Sequence, residues 1–351
     1  MAVEILDTLA REAFEEVIAL HDRHSGVRAF LAIHDTRRGP AFGGIRRWSY
    51  LDEEQALRDC LRLARSMTYK CAMAGLDAGG AKLVLLDRPE LDLALAYRYI
   101  GDVVERLGGR VYAGPDVGSG VEELGWVAER TRFATDPGPD GPGELAQSTS
   151  AGVVAGIAAA LRHVDGSERW SERTAVVQGL GQVGSGVAGS LRALGARVLA
   201  GDTDSERGEA LARGLGVEWV DPCAELELAC DVLAPCALGG IVHDLSLQRL
   251  RCRVLAGSAN NVLAASGHGD RLHERGILYV PDFVVNSGAL IRGALFHMEG
   301  VRVPVAEIGD RIAREVALLL EMAADEGLPP ARVAVREAER RIRATAAGAQ
   351  N

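Results

Sequence analysis

Residues 174–184 read TAVVQGLGQVG, and this stretch decides the fold. Thr174, Val176 and Val177 are β-branched and suit a buried strand. Glycines follow at 179, 181 and 184, and a helix-forming stretch then runs to about Leu194. GxGxxG alone is a weak signal; between a strand and a helix it becomes a dinucleotide fingerprint. Gly179 permits the tight turn, Gly181 lets a pyrophosphate approach the backbone, and Gly184 lets the helix pack closely on the strand. The helix N-terminus adds its attraction for phosphate. The next apolar run, ARVLAGD, ends at Asp202, about twenty residues on, where a carboxylate binds a ribose 2'-hydroxyl and repels a 2'-phosphate. The expected cofactor is therefore NAD rather than NADP.

Downstream, VEWV, CDVLAPCA, RVLAGSAN and GILYVPDF are apolar runs separated by helical stretches such as SERGEALARGLG, the rhythm of a parallel sheet with helices on both faces. Upstream, VRAFLAIHD alternates like a strand and EEQALRDCLRLARSM repeats at helical spacing, while AKLVLL and GRVYAG are short strand candidates with a core of their own. Between the halves lies DPGPDGPGE at 136–144, a linker or a loop over a cleft. The reading is an α/β fold of two domains, with a first α/β domain at 1–140 and a doubly wound Rossmann domain at 141–325. The closing helical stretches include one that starts at Pro329 and Pro330. The helices of 326–351 are expected to return to the first domain.

A net charge of -10 with no long Lys/Arg run argues against a nucleic-acid partner. The longest apolar run, AGVVAGIAAAL at 151–161, is too short to span a bilayer and reads as a buried helix. No signal-peptide pattern opens the chain, so a cytoplasmic protein with no membrane partner is expected. The cysteines at 60, 71, 223, 230, 236 and 252 show neither CxxC nor metal-ligand spacing, and read as reduced thiols with no metal site.

The basic residues carry a second signal. The chain has 39 Lys plus Arg, yet its only lysines are Lys70 and Lys82, both within MTYKCAMAGLDAGGAK at 67–82. Arginine keeps its proton and cannot act as a base at neutral pH, whereas a crowded or buried lysine can. Gly75, Gly79 and Gly80 between the two suggest a tight turn with room for a ligand between the ammonium groups. Asp116, in the loop GPDVGSG after GRVYA, is a natural acid/base partner for such a pair.

Seven stretches, in order along almost the whole chain, carry a resemblance: GPAFGGIR (39–46), MTYKCAMAGLDAGGAK (67–82), PDVGSG (115–120), GLGQVG (179–184), APCALGG (234–240), AGSANN (256–261) and PDFVVNSGALI (281–291). Together they resemble the leucine, valine, phenylalanine and tryptophan dehydrogenases, relatives of glutamate dehydrogenase. The resemblance implies reversible NAD-dependent oxidative deamination of a hydrophobic L-amino acid to its 2-oxo acid and ammonia. The first domain would bind substrate and form a homo-oligomer, and hydride would pass to the nicotinamide in the cleft between the domains. By the family pattern Lys70 binds the substrate carboxylate, helped by the backbone at Gly43 and Gly44, Lys82 is the general base that activates water, and Asp116 shuttles the amine proton. Asn261 and Asn286 fall at the substrate end, while Gln182, Val183, Thr149, Ala237 and Asn260 join the glycine turn and Asp202 at the cofactor.

Departures from the pattern bear on the substrate. Phe42 stands where leucine-preferring members have leucine, Gly114 where they have alanine, and Leu290 and Gly293 where they have two valines. Loss of side chain at Gly114 and Gly293 deepens one side of the pocket and Phe42 offers a ring, so an aromatic substrate, phenylalanine or tryptophan, is expected. A branched-chain substrate and a catalytically silent NAD-binding sensor are the alternatives. No cation maps to the pocket positions, which argues against glutamate.

Overall fold

The structure is a computed structural model that describes residues 5–135, 138, 140–222 and 224–348. Parts of the Pro/Gly-rich segment and Cys223 lie outside the described residues. The chain forms two compact units: residues 1–143 with 293–302 and 338–351, and residues 144–292 with 303–337. The division falls at 143/144 rather than 140/141. The return to the first unit begins at Ala338 rather than at 326, and Gly293–Arg302 joins that unit as well.

The first unit is built on five strands: β1 (Glu16–Asp22), β2 (Val27–Asp35), β3 (Ala41–Trp48), β4 (Gly79–Leu86) and β5 (Val111–Gly114). Their order is β1-β2-β4-β3-β5. β1, β2 and β4 pair antiparallel, while β3 runs parallel to both β4 and β5. The sequence did not mark β1 or β3 as strands. In β3 two adjacent glycines interrupt the apolar pattern, which weakens a strand signal; a central place in the sheet overrides it. Helices α1 (Glu53–Met73) and α2 (Leu93–Arg106) start at Asp52 and Asp92, whose carboxylates accept from Gln55 N–H and Leu95 N–H. Leu57, Cys60, Leu61 and Ala64 of α1 pack with Ala32, Val84 and Leu86 of the sheet.

The second unit holds six strands, all parallel: β6 (Thr174–Gln178), β7 (Arg197–Gly201), β8 (Glu218–Trp219), β9 (Cys230–Pro235), β10 (Cys252–Leu255) and β11 (Leu278–Tyr279). The order β11-β10-β9-β6-β7-β8 reverses direction between β6 and β9. That is the doubly wound arrangement, in which ligands bind at the switch point beyond the strand ends. The expected buried helix is α3 (Leu145–Asp165), and α4 (Gln182–Ala193) follows the glycine turn. α5 (Gly288–Glu299) crosses from one unit's residues to the other's. α6 (Val305–Glu326) packs on α3, where Cβ atoms at Gly152 and Gly156 would come within 2.3 Å of Ile312 and 3.5 Å of Val316. α6 ends at Gly327, φ +63°, and α7 (Pro330–Gly348) follows. No helix among the described residues is long and apolar enough to cross a membrane.

Candidate functional site

In the first unit the two lysines occupy different elements. Lys70 lies in the last turn of α1 and is 8% exposed; Lys82 lies in the middle of β4, not at its start, and is 5% exposed. Gly75 turns the chain after α1 with φ +68°. Gly79 and Gly80, expected to leave ligand space, instead let backbones meet: a Cβ would fall 1.7 Å from Asp35 O and 2.1 Å from Thr68 N, respectively.

Lys82 Nζ forms an ion pair with Asp116 Oδ2. Asp116 follows β5, and its backbone exchanges N–H···O bonds with Ser119, which closes the loop. Phe42 stands opposite Gly80 and Ile45 opposite Leu83, so Gly44 of β3 is level with Lys82, while Gly43 and Gly44 pair with Ala113 and Gly114 of β5. A Cβ on Gly44 would sit 2.8 Å from Asp116 Cβ and 3.1 Å from Lys82 Nζ; on Gly43 it would meet Ala81 O at 2.0 Å. The double glycine therefore makes space for the ion pair and for close strand contact.

Arg46 completes this cluster, and sequence reasoning missed it. Alternate residues of a strand share a face, so Arg46 is on the side of Gly44. Its Nε donates to Asp116 Oδ2 at 3.0 Å and its Nη1 to Asp59 Oδ2 at 3.0 Å, where Tyr50 Oη also donates at 2.7 Å. Burial alone would raise the Asp116 pKa, but Lys82 and then Arg46 outweigh it and bring it from 3.8 down to about 2. The signal available was the alternation of GGIR with a cation two residues after the second glycine.

The pocket positions divide between the units. Gly114 has ordinary contacts, with Thr135 Oγ1 3.6 Å from its would-be Cβ. Gly293 is buried, yet a Cβ there would meet no atom of the described residues within 4 Å. Phe42 is buried and stacks on Tyr112, centroids 4.9 Å apart and planes within 10°, so one of its faces is already covered. Leu290, half-buried, belongs to the second unit.

In the second unit Gly179 takes φ +91°, and Gly184 lies where a Cβ would come 2.0 Å from Gly179 O. Gly181 faces open space and Gln182 is exposed, while Val183 is half-buried. Ala237, after β9, faces Gly179 across the switch point, 2.8 Å from its would-be Cβ. Asp202 Oδ2 accepts from Leu180 N–H at 2.7 Å and Arg207 Nη2 at 3.0 Å, and Oδ1 from Asp204 N–H at 3.0 Å. Burial would raise its pKa, but these donors lower it. Thr149 Oγ1 accepts from Ala289 N–H at 3.1 Å, tying α3 to α5. Asn286 Nδ2 donates to Asn260 Oδ1 at 2.9 Å, and its own Oδ1 is buried without a partner among the described residues. Asn261, at φ +53°, gives its N–H to Asp282. An open phosphate turn and a buried acceptor in want of a donor, such as a carboxamide NH2, fit a nicotinamide dinucleotide. The described cysteines are free thiols, with burial pushing Cys60 and Cys71 up to about 12, and no cluster of metal-binding side chains occurs among the described residues.

The family model of the Glu/Leu/Phe/Val dehydrogenase dimerisation domain matches residues 14–133, and that of glutamate/leucine/phenylalanine/valine dehydrogenase matches 202–299. The chain belongs to this family. It is an oxidoreductase of the amino acid dehydrogenase type. Leucine dehydrogenase of Thermoactinomyces intermedius is 37% identical, covering 97% of this chain and 94% of that protein. Phenylalanine dehydrogenase of the same organism is 36% identical over 88% and 87%. The crystal structure of L-tryptophan dehydrogenase from Nostoc punctiforme superposes with a TM-score of 0.81 at 33% identity, covering 97% and 99%. Nearly equal identity to family members named for leucine and for phenylalanine leaves side-chain choice to the pocket.

Proposed function

We propose that this family member is an NAD-dependent L-amino acid dehydrogenase that prefers an aromatic substrate, acting as a homo-oligomer. The observation that carries the catalytic assignment is the buried Lys82–Asp116 pair, with Arg46 behind it and the Gly43–Gly44 step beside it. Lys70, buried at the end of α1, takes the substrate carboxylate, helped by the backbone at Gly43 and Gly44. Lys82 removes a proton from the water that adds to the imine carbon. Asp116 starts ionised and exchanges a proton with the amine nitrogen. Lys82 is the larger of the two cationic influences that hold Asp116 low, so with a neutral Lys82 beside it Asp116 would be the better proton acceptor. Arg46 keeps its charge throughout and holds the carboxylate in place.

NAD, when bound, supplies the hydride acceptor. Gly179, Gly181 and Gly184, with Gln182 and Val183 at the start of α4, would hold its pyrophosphate. Asp202 would hold the ribose hydroxyls, while Thr149, Ala237 and Asn260 would border the nicotinamide end. Asn261 would border the substrate, and Asn286, bonded to Asn260, would stand where substrate and nicotinamide carboxamide meet. Asp202 favours NAD over NADP because a 2'-phosphate would meet its charge.

The aromatic preference rests on the space at Gly293 together with Phe42 and Gly114. The test is NADH formation with phenylalanine, tryptophan, leucine, valine and glutamate, run beside Lys82→Ala and repeated with NADP. Highest kcat/KM for an aromatic substrate and a dead variant support the reading. A lead for leucine leaves the lysine mechanism standing and favours the second reading, a branched-chain dehydrogenase, which draws on the 37% identity to leucine dehydrogenase over 97% of the chain.

A further inference from the structure

His297 is a polar side chain with no task in the mechanism above. It lies on α5 one turn beyond Gly293, and residues four apart share a helix face, so it stands next to the space that Gly293 leaves open. Both residues belong to the first unit, as do the rings around it. Its centroid is 4.9 Å from that of Tyr112, at 45°, and 6.3 Å from that of Phe42. Its Nε2 is buried and has no hydrogen-bond partner among the described residues. Burial alone lowers its pKa from 6.5, so the ring is neutral at physiological pH. A neutral imidazole offers one donor and one acceptor nitrogen, and a buried nitrogen left unpaired costs free energy that a ligand atom can recover.

We propose that His297 reads a polar hydrogen on the ring of the substrate, so that the enzyme takes L-amino acids whose aromatic side chain carries an O–H or N–H. This deepens the aromatic reading above and rests on it. A phenol satisfies either tautomer of His297, because its oxygen both donates and accepts; an indole N–H needs Nε2 as acceptor. Phenylalanine fills the same ring space and leaves Nε2 unpaired.

The experiment compares tyrosine, tryptophan, phenylalanine and leucine as substrates of the full-length enzyme with NAD, unsubstituted and as His297→Leu and His297→Gln. The expected result is a tyrosine-to-phenylalanine ratio of kcat/KM about tenfold higher with His297 than with leucine there, and partly restored by glutamine. A ratio equal in the unsubstituted enzyme and His297→Leu overturns the proposal, and it does so without touching the aromatic reading if phenylalanine still leads leucine. If leucine leads in every form, the aromatic reading fails, and the ratio still decides the role of His297. Should His297→Leu not fold, the imidazole 15N resonances of His297 in the unsubstituted holoenzyme decide: a shift with tyrosine but not phenylalanine supports the proposal, and identical spectra overturn it.

Discussion

Two aspartates mark the two halves of this molecule, and they are held in opposite ways. Asp116 is surrounded by full charges, Lys82 and Arg46, in a buried cluster. Asp202 is held by the backbone N–H groups of Leu180 and Asp204 and by a half-exposed arginine. Buried cations couple a carboxylate's proton to the charge of its neighbours. Neutral N–H donors fix its position, with the half-exposed Arg207 beside it. The first arrangement suits proton transfer and the second suits recognition of a hydroxyl, although both begin as an aspartate at a strand end.

The largest effect expected from breaking this contrast is at Asp116. Asp116→Asn should lower kcat by about a thousandfold, within the range for loss of an acid/base group, and leave the KM for NAD nearly unchanged. Steady-state kinetics with both substrates varied would detect a change in NAD binding that spoils the distinction. Next is Gly44→Ala, whose methyl has to displace Asp116 Cβ or Lys82 Nζ. A loss of about a hundredfold in kcat is expected, with an unchanged far-ultraviolet circular dichroism spectrum, because misplacement alone costs on that order.

Acid titration sharpens the comparison further. The folded pKa of Asp116 is depressed from 3.8 to about 2, so its contribution to stability is complete above about pH 4 and is lost as the pH falls through about 2. The shift corresponds to about 2 kcal/mol. Urea unfolding at pH 4.5 and 2 should therefore show a smaller decline for Asp116→Asn than for the unsubstituted protein. Equal declines would mean that the cations do not hold the carboxylate as described. The smallest effect is at Asp202. Asp202→Ala should weaken NAD binding about tenfold, the value of one or two hydrogen bonds to a charged group, while kcat at saturating NAD changes little. Discrimination against NADP should fall in the same titrations, and a large fall in kcat would give Asp202 a role closer to that of Asp116.

These regions also differ in how far they could be read without coordinates. Gly179, Gly181, Gly184 and Asp202 were legible because the demands on them are local: a left-handed turn, an open backbone and a helix start within one strand–turn–helix step. The scarcity of lysine pointed to Lys70 and Lys82 by composition alone, since of the two cations only lysine readily changes its protonation when buried. Space between those lysines was misread at Gly79 and Gly80, because a glycine pattern does not say whether a ligand or another backbone will approach.

The sequence by itself determined the α/β class, the dinucleotide turn, the lysine pair and Asp116, all of which depend on residue type and short spacing. Tertiary structure alone decided that β3 runs between β4 and β5, and with it that Arg46 meets Asp116 across 70 residues of chain. It also decided that Phe42, Tyr112 and His297 share one aromatic cluster, and that the return to the first unit starts at Ala338. The physical reason is common to these cases. Sheet register and long-range burial choose which distant side chains become neighbours, and that choice sets the charge of a carboxylate and leaves a histidine nitrogen unpaired among the described residues.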